Sequence, residues 1–402
     1  MVHYVFLATT FNLFLFEGKN AALILFATFG FIALVLVNRT LPANIGPSIF
    51  VITFVLIVSY AINFSSAETV SFLYSLFFIA SYILFTSYFK ARVPVDEFRR
   101  VVVFVLGLYL VVLIMGQLFV LFGLFDRTLA KGENIVHGPF GTLFEMAQGY
   151  RFYSLATEPS YAAFVVITLL WVYLRTDSNR SGISRRHIGV WLICTYMILS
   201  FQSVYGLMLF GILILSRLTL RNSLIVLGIG FVLFLTAFLT GQAAAVRLVE
   251  FLTQIDPGNI TGIRHVDYSA SFRILPTYFY IRQIDLASIH FYFGHGAGQG
   301  SGFLIPLLFQ YPIDSYEGGF FPQFLYDYGI VFFVFFIVFL SWDVFSKVLS
   351  FELFLIILLL TNANFNTQLF WFVITSLTLA RHYRTYSLGS RQKQDPQISS
   401  AE

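Results

Sequence analysis

The chain has 402 residues, of which 58% are hydrophobic, 19% aromatic and only 11% charged. Soluble proteins carry about 25% charged residues, and disordered chains combine low hydrophobicity with high charge. The composition therefore excludes a soluble globular enzyme and a disordered chain. It indicates an all-α, polytopic helix bundle embedded in a lipid bilayer.

Continuous apolar stretches mark the predicted membrane spans, because a helix needs roughly 20 apolar residues to cross a bilayer. We read the N-terminus as an uncleaved first span and treat 1–402 as a single integral membrane domain. Segments 350–361 and 367–380 are short and can also be read as one re-entrant hairpin. The sequence predicts about 12 transmembrane helices, at 2–16, 21–37, 47–64, 70–89, 101–125, 156–174, 187–200, 203–216, 222–240, 328–346, 350–361 and 367–380.

Lys and Arg residues are distributed unevenly between the loops on the two sides of this predicted bundle. With both termini on one side, the loops of that side hold most of the 24 Lys and Arg, while the opposite loops hold most of the 20 Asp and Glu. The positive-inside rule then predicts that both termini are cytoplasmic, including a polar, mobile tail at 381–402.

Two long segments lie on the other, periplasmic side. They are 126–155 and the large loop 241–327, in which we expect short helices at the membrane surface. Loops of this length are usually functional, so we expect the chemistry here.

Arginines are concentrated in these two loops: Arg151 in the first, and Arg264, Arg273 and Arg282 in the second. A guanidinium group grips phosphate or carboxylate oxygens with two parallel hydrogen bonds. Pairing with nearby acids or with lipid headgroups is the structural alternative. Arg273 and Arg282 would lie on opposite faces of an unbroken helix, so they share one site only if the helix bends.

Glu158 stands directly before Pro159, which suits the first turn of a helix. An acidic residue at this position interacts favourably with the helix dipole, which is the structural interpretation. The functional interpretation is a partly desolvated general base at the outer mouth of the bundle.

A glycine-rich run, GHGAGQGSG, occupies 294–302. Glycine allows backbone conformations that other residues avoid and lets a ligand approach the main chain. The run is neither a Walker loop nor a dinucleotide fingerprint. His265, His290 and His295 lie in the same loop without the spacing of a zinc motif, and we predict no metal and no cofactor. His295 is either a hydrogen-bonding residue or an alternative base.

Three segments together resemble the Wzy-type polymerases of O-antigen and capsule repeat units, within the O-antigen polymerase and ligase superfamily. They are RFYSLATEPSYAA, SFRILPTYFYIRQIDLASIHFYFGHGAGQGSG and EGGFFPQFLYDYGIVFFVFF. The resemblance covers about 100 residues, and the remaining spans are similar only in topology.

The resemblance implies an enzyme of the bacterial inner membrane with a periplasmic active site. Such polymerases join undecaprenyl-pyrophosphate-linked oligosaccharide units into surface polysaccharide, without a nucleotide sugar and with inversion at the anomeric carbon. The partners implied are the lipid-linked oligosaccharide, the bilayer and, as a candidate, a chain-length regulator; nucleic acid is not among them.

The resemblance also implies roles for particular residues. Arg273 and Arg282, with Arg264 in reserve, would stabilise the pyrophosphate. Glu158 would activate the acceptor hydroxyl, Arg151 would orient Glu158 or contact the donor, and His295 is the alternative base. The predicted catalytic set is Glu158, Arg273, Arg282 and His295, and the predicted substrate-binding set is Arg151, Arg264, Tyr161, Tyr316 and Gln323.

Two alternatives stay open. An O-antigen ligase would transfer finished polymer to lipid A core, but ligases of this superfamily have a His-Asn pair where this chain has 314–319, DSYEGG. A polysaccharide flippase or transporter would share the topology. Transporters place ionisable residues at mid-membrane, whereas the predicted spans are almost free of charge.

Overall fold

A computed structural model gives the fold, and it describes most of the chain from residue 47 onward. The described residues are 47–122, 154–156, 159–176, 185–201, 203–218, 220–239, 249, 253, 268–308, 319–345 and 350–394. Regular secondary structure in these residues is helical, with no β-strand among them.

Thirteen helices are described here and numbered in chain order. Seven precede the large loop, three lie within it, and three follow it. They are α1 (Pro47–Ile62), α2 (Thr69–Arg92), α3 (Val95–Leu121), α4 (Pro159–Arg175), α5 (Arg185–Phe201), α6 (Val204–Leu215), α7 (Leu220–Leu239), α8 (Tyr268–Gln283), α9 (Ile289–Phe293), α10 (Gln299–Leu308), α11 (Phe320–Phe339), α12 (Phe351–Asn362) and α13 (Gln368–Gln394).

Each predicted span from 47–64 onward corresponds to one of these helices, whereas 2–16 and 21–37 lie outside the described residues. Three helices are long and apolar enough to cross a membrane: Thr69–Arg92, Val95–Leu118 and Phe320–Val344. The shorter apolar helices include Pro159–Arg175 and Val204–Leu215. The total of about 12 spans therefore stays a prediction.

Local chemistry explains where the long helix α2 ends. Val93 precedes Pro94, and the ring of a proline disfavours the helical conformation in the residue before it. Val93 is accordingly extended, with φ −104° and ψ 119°. Lys90 and Arg92 occupy the last turn of α2, where positive charge interacts favourably with the helix dipole.

Helix α4 lies at the centre of the bundle. Every residue from Ser160 to Tyr173 is buried except Tyr161, which is half-buried. The helix packs against α3, α5, α6 and α13. A helix that is apolar on every side needs neighbours on every side, and α4 has them.

Helices α2, α11 and α13 run in the same direction, and hydrogen bonds fix their register. The Ser75 hydroxyl, near the start of α2, lies 2.7 Å from the Tyr328 hydroxyl in the middle of α11 and donates to Oδ1 of Asn366, just before α13, at 2.6 Å. The Tyr383 hydroxyl, in the middle of α13, donates to the Phe89 carbonyl near the end of α2 at 2.9 Å. The bundle therefore has two distinct ends along these three helices.

The described part of the large loop, 268–308, contains the short helices that the sequence predicts. Helices α8, α9 and α10 pack against the first half of α11, and α8 also contacts α10. They cover one end of the bundle, on the side where α2, α11 and α13 begin.

Two predicted boundaries need correction. The predicted span 328–346 begins earlier, at Phe320, and continues through a π-helical turn at Leu340–Val344. The predicted tail begins as a helix, because α13 continues to Gln394. The choice at 350–380 between two spans and one re-entrant hairpin stays open; α12 lies against α6 and α11, and α13 lies against α2 and α4.

Candidate functional site

The glycine-rich run crosses α11 where that helix is kinked. Gly329 has φ +78° and ψ 177° inside α11, and Gly294 has φ +76° in the loop. A Cβ atom on Gly294 would overlap the Asp327 carbonyl, and one on Gly329 would overlap the Tyr292 carbonyl. Glycine is needed at both positions, because a side chain at either one would keep the two backbones apart.

Backbone hydrogen bonds join the kinked part of α11 to the glycine-rich loop. The His295 N–H donates to the Tyr326 carbonyl at 2.8 Å, and the Gly296 N–H donates to the Asp327 carbonyl at 3.0 Å. A buried backbone group without a partner is costly, so these bonds hold the loop against α11.

Asp327 is the central acidic group of this site. Its side chain is buried, with 3% of the residue's surface exposed. Its Oδ1 accepts a hydrogen bond from Gly300 N–H at 2.6 Å, and its Oδ2 accepts one from Gly298 N–H at 3.2 Å. The carboxyl group therefore caps the start of α10 by accepting from two backbone N–H groups at that helix end.

A second carboxylate, Glu68, approaches the same loop from the turn between α1 and α2. The Glu68 N–H donates to the Ala297 carbonyl at 2.8 Å, and Ser71 donates to Glu68 Oε2 at 3.0 Å. A Cβ atom on Gly298 would overlap Glu68 Oε2. The exposed Glu68 and the buried Asp327 thus both border Gly298.

Four planar side chains form a continuous stack beside these groups. The ring centroids are 4.4 Å apart for His290 and His295, 4.0 Å for His295 and Tyr326, and 4.4 Å for Phe303 and Tyr326. All three pairs lie within 13° of parallel. The stack joins α9, the glycine loop, α10 and α11.

Backbone carbonyls determine the tautomer of both histidines. His290 Nδ1 lies 2.9 Å from the Gly294 carbonyl, and His295 Nδ1 lies 3.3 Å from the Tyr326 carbonyl. A carbonyl can only accept, so we assign the proton to Nδ1 in each neutral ring. Each Nε2 is then left as the acceptor and can take a proton.

Burial lowers the pKa of His295 below its usual value of 6.5, and nearby His290 lowers it further, while the bond to the Tyr326 carbonyl opposes them. His295 is therefore neutral at pH 7. A neutral imidazole with an unprotonated Nε2 is the form that a general base requires.

The structure describes only part of the predicted arginine set. Arg273 and Arg282 both lie in α8, which is continuous between them and contains Pro276. Arg282 is exposed, and its guanidinium carbon lies 5.4 Å from the centre of the Tyr278 ring. The side chain of Arg273 lies outside the described residues, as do Arg151, Glu158, Arg264 and Tyr316.

Gln323 belongs to the site, whereas the described contacts of Tyr161 are in the core. Gln323 is 5% exposed, and its Oε1 has no hydrogen-bond partner among the described residues. A Cβ atom on Gly300 would lie 2.7 Å from Gln323 Cγ and 3.1 Å from Asp327 Oδ1. Tyr161 packs against the hydrophobic core instead.

Sequence reasoning missed Asp327 and Glu68. Gln323 and Asp327 are four residues apart, a spacing that places both on one face of a helix, and this signal was available. It was overlooked because the predicted span began one residue after Asp327. Glu68 carried no comparable signal, since it joins the site through contacts between distant parts of the chain.

Among the described residues, no three His, Cys, Asp or Glu side chains are grouped as metal ligands. The fold and site define an all-helical protein with helices able to span a membrane and a glycine loop fastened to a kinked helix. No family model matches the chain, and neither a curated protein nor a solved structure shows significant similarity to it.

Proposed function

We propose that this protein is a Wzy-type polymerase that joins undecaprenyl-pyrophosphate-linked oligosaccharide units into O-antigen or a related polysaccharide, on the periplasmic face of the bacterial inner membrane. One observation carries the proposal. Two of the three segments that resemble these polymerases, 271–302 and 317–336, meet around Gly294 and Gly329 at one end of the bundle.

His295 is the acceptor-activating base in this proposal. Its Nε2 takes the proton of the acceptor hydroxyl while that oxygen attacks the anomeric carbon of the donor glycan. The bond from the anomeric carbon to the pyrophosphate oxygen breaks, and undecaprenyl pyrophosphate leaves with the bonding electron pair. Glu158 remains the second candidate for the base.

Arginines stabilise the leaving group in the same proposal. Arg282, or Arg273 on the opposite face of the continuous helix α8, would hold the pyrophosphate as its charge grows, with Arg264 and Arg151 as further candidates from the sequence. The exposed position of Arg282, beside the helices that surround the glycine loop, supports this role. Tyr316 and Gln323 are assigned to the sugar. Gln323 is included because its buried Oε1 can accept a hydrogen bond from a sugar hydroxyl.

Lipid-linked repeat units, supplied to the purified protein without any core acceptor, test the proposal. A polymerase yields a ladder of longer glycans, whereas a ligase yields none. Replacing His295 with Ala should reduce chain growth roughly 100-fold or more, as loss of a general base does. The His290→Ala variant is the matched control for the stack, and an unchanged rate with His295→Ala would remove His295 from the mechanism.

One observation favours a transporter as the second candidate. Asp327 is an ionisable residue buried in a helix that is broken two residues later, within the span Phe320–Val344. Broken helices with ionisable groups are common at transporter binding sites. Proteoliposomes decide between the two: a transporter moves lipid-linked glycan across the bilayer without lengthening it.

A further inference from the structure

A second polar cluster lies where α4 and α6 end and α12 begins. Its centre is Trp171, which is 5% exposed and whose ring centroid lies 4.8 Å from that of Phe351. Arg384, the residue after Tyr383, is close enough to Arg217 of this cluster to act on its charge. The cluster therefore lies at the end of the bundle opposite the glycine loop.

Guanidinium groups are concentrated here among the described residues. The guanidinium carbons of Arg175 and Arg217 lie 5.2 Å and 4.7 Å from the centre of the Trp171 ring. Arg175 Nη2 also lies 3.4 Å from Glu352 Oε1. Arg384 is close enough to Arg217 to act on its charge, and guanidinium groups are well suited to bind an anionic ligand.

Buried polar atoms at the same place point independently to a ligand. Trp171 Nε1, Ser350 Oγ and Thr168 Oγ1 are buried and have no hydrogen-bond partner among the described residues. Ser350 adjoins Phe351, and Thr168 lies about one turn before Trp171 on α4. A buried N–H donor without an acceptor is costly, so an oxygen-rich group that accepts from Trp171 would relieve the cost.

The neighbouring apolar surface suggests what carries the anion. Phe354 of α12 and Leu207 of α6 are 41% and 41% exposed, and α6 and α12 pack against each other. An acyl chain can lie along such surfaces while its headgroup stays at the helix ends. Basic pockets between helix ends are a recurrent site for anionic lipid headgroups.

We propose that Trp171, Arg175, Arg217 and Ser350 bind the phosphodiester headgroup of an anionic phospholipid. The phosphate oxygens accept from the indole N–H and the guanidinium groups, and Ser350 contacts the headgroup through its hydroxyl. The proposed lipid site is separate from the proposed site of glycosyl transfer. A negative result for lipid binding would therefore leave the proposed function unaffected.

Native mass spectrometry of the full-length protein in detergent tests this site with two lipids of identical acyl chains, phosphatidylglycerol and phosphatidylcholine. We expect phosphatidylglycerol to be retained roughly tenfold more strongly, since charge-assisted hydrogen bonds are worth about one order of magnitude in affinity. Arg217→Gln should remove most of this preference. Arg221→Gln, an exposed basic residue at the start of α7, is the matched control and should retain it.

Trp171→Phe keeps an aromatic ring under the guanidinium groups and removes only the N–H donor, so it should weaken retention of phosphatidylglycerol several-fold. Melting temperatures without added lipid show whether either variant is misfolded. Equal retention of the two lipids by the wild-type protein, or full retention by both variants, overturns the proposal. Displacement of the lipid by equimolar glycerol 3-phosphate would assign the site to a soluble phosphate ester and overturn the lipid assignment.

Discussion

At the scale of single residues, two glycines determine whether the candidate site forms. Gly294 and Gly329 have positive φ, and each lies against the backbone that contains the other. A side chain at either position would need a left-handed backbone and would also overlap a carbonyl group. Neither strain can be relieved by a rotamer change, because the opposing atoms belong to the main chain.

Replacing Gly294 or Gly329 with Ala should lower the free energy of unfolding by about 2 kcal/mol or more, since a left-handed L-residue alone costs 1–2 kcal/mol. Thermal denaturation in detergent measures the change. Gly302→Ala is the control, because a Cβ atom there meets nothing within 4 Å. Equal melting temperatures for all three variants would show that the loop does not cross α11 as described.

The lowered pKa of His295 predicts how the site responds to acid. A histidine whose folded-state pKa lies below its unfolded value of 6.5 takes up protons preferentially when the chain unfolds. Its contribution to stability is therefore complete above pH 6.5 and is lost as the pH falls through the lower folded-state pKa. Polymerisation that uses neutral His295 as a base should decline over the same range.

Melting temperatures and chain-growth rates between pH 5 and pH 8 test this dependence. The His295→Gln variant cannot titrate at this position, so its stability should vary less with pH over this interval. If the wild type and the variant lose stability in parallel on acidification, another group is responsible. Because His290 stacks directly on His295, the comparison of wild type with the His295→Gln variant is needed to assign the effect to His295.

At the scale of elements, α2, α11 and α13 are held in register by polar contacts within an apolar bundle. Ser75 near the start of α2 contacts Tyr328 in the middle of α11 and Asn366 just before α13, and Tyr383 joins α13 to the end of α2. Apolar side chains pack in many registers with similar energy, whereas a buried hydroxyl needs its own partner. These bonds therefore position the kink at Gly329 relative to α2.

Tyr328→Phe should lower stability by about 1–2 kcal/mol, because it leaves one buried hydrogen bond unmade while preserving the ring. The corresponding fall in melting temperature is about 1–2 °C for a chain of 402 residues, because the entropy of unfolding grows with chain length. Tyr292→Phe serves as the control, since its side chain is 44% exposed. A similar effect of both substitutions would mean that the buried contact does not fix the register.

The boundaries of most helices could be predicted from the sequence, and their contacts could not. Apolar runs and Pro159 at the start of α4 are local signals, and the predicted spans follow the apolar runs. The kink in α11 was missed because Gly329 lies inside an apolar run. Nothing in that run indicates that a loop from about 30 residues upstream will cross it.

At the scale of the whole molecule, the bundle has a glycine-loop end and a basic end. Asp327, Glu68 and the histidine stack lie at the first, and Trp171 with its guanidinium neighbours lies at the second. The uneven distribution of Lys and Arg predicts that the second end faces the cytoplasm. The proposed enzyme needs this orientation, because its lipid-linked substrates are periplasmic.

Accessibility of single cysteines tests the orientation. Ser65→Cys, in the exposed turn between α1 and α2, should react with a membrane-impermeant maleimide in intact spheroplasts. Ser216→Cys, at the exposed end of α6, should react only after the membrane is permeabilised. The natural Cys194 is buried and serves as the unlabelled background. The reverse pattern would invert the topology and contradict a periplasmic active site.

The sequence by itself determined that the chain is a bundle of apolar helices and where most of these helices begin and end. These properties depend on residues that are neighbours along the chain, so composition and spacing are enough. Only the tertiary structure decided that Asp327 caps α10 through Gly300, 27 residues before it, and that the turn after α1 fastens the glycine loop from 229 residues away. Such pairings depend on which helix faces meet in the bundle, and nearly uniform apolar surfaces leave little trace of that choice in the sequence.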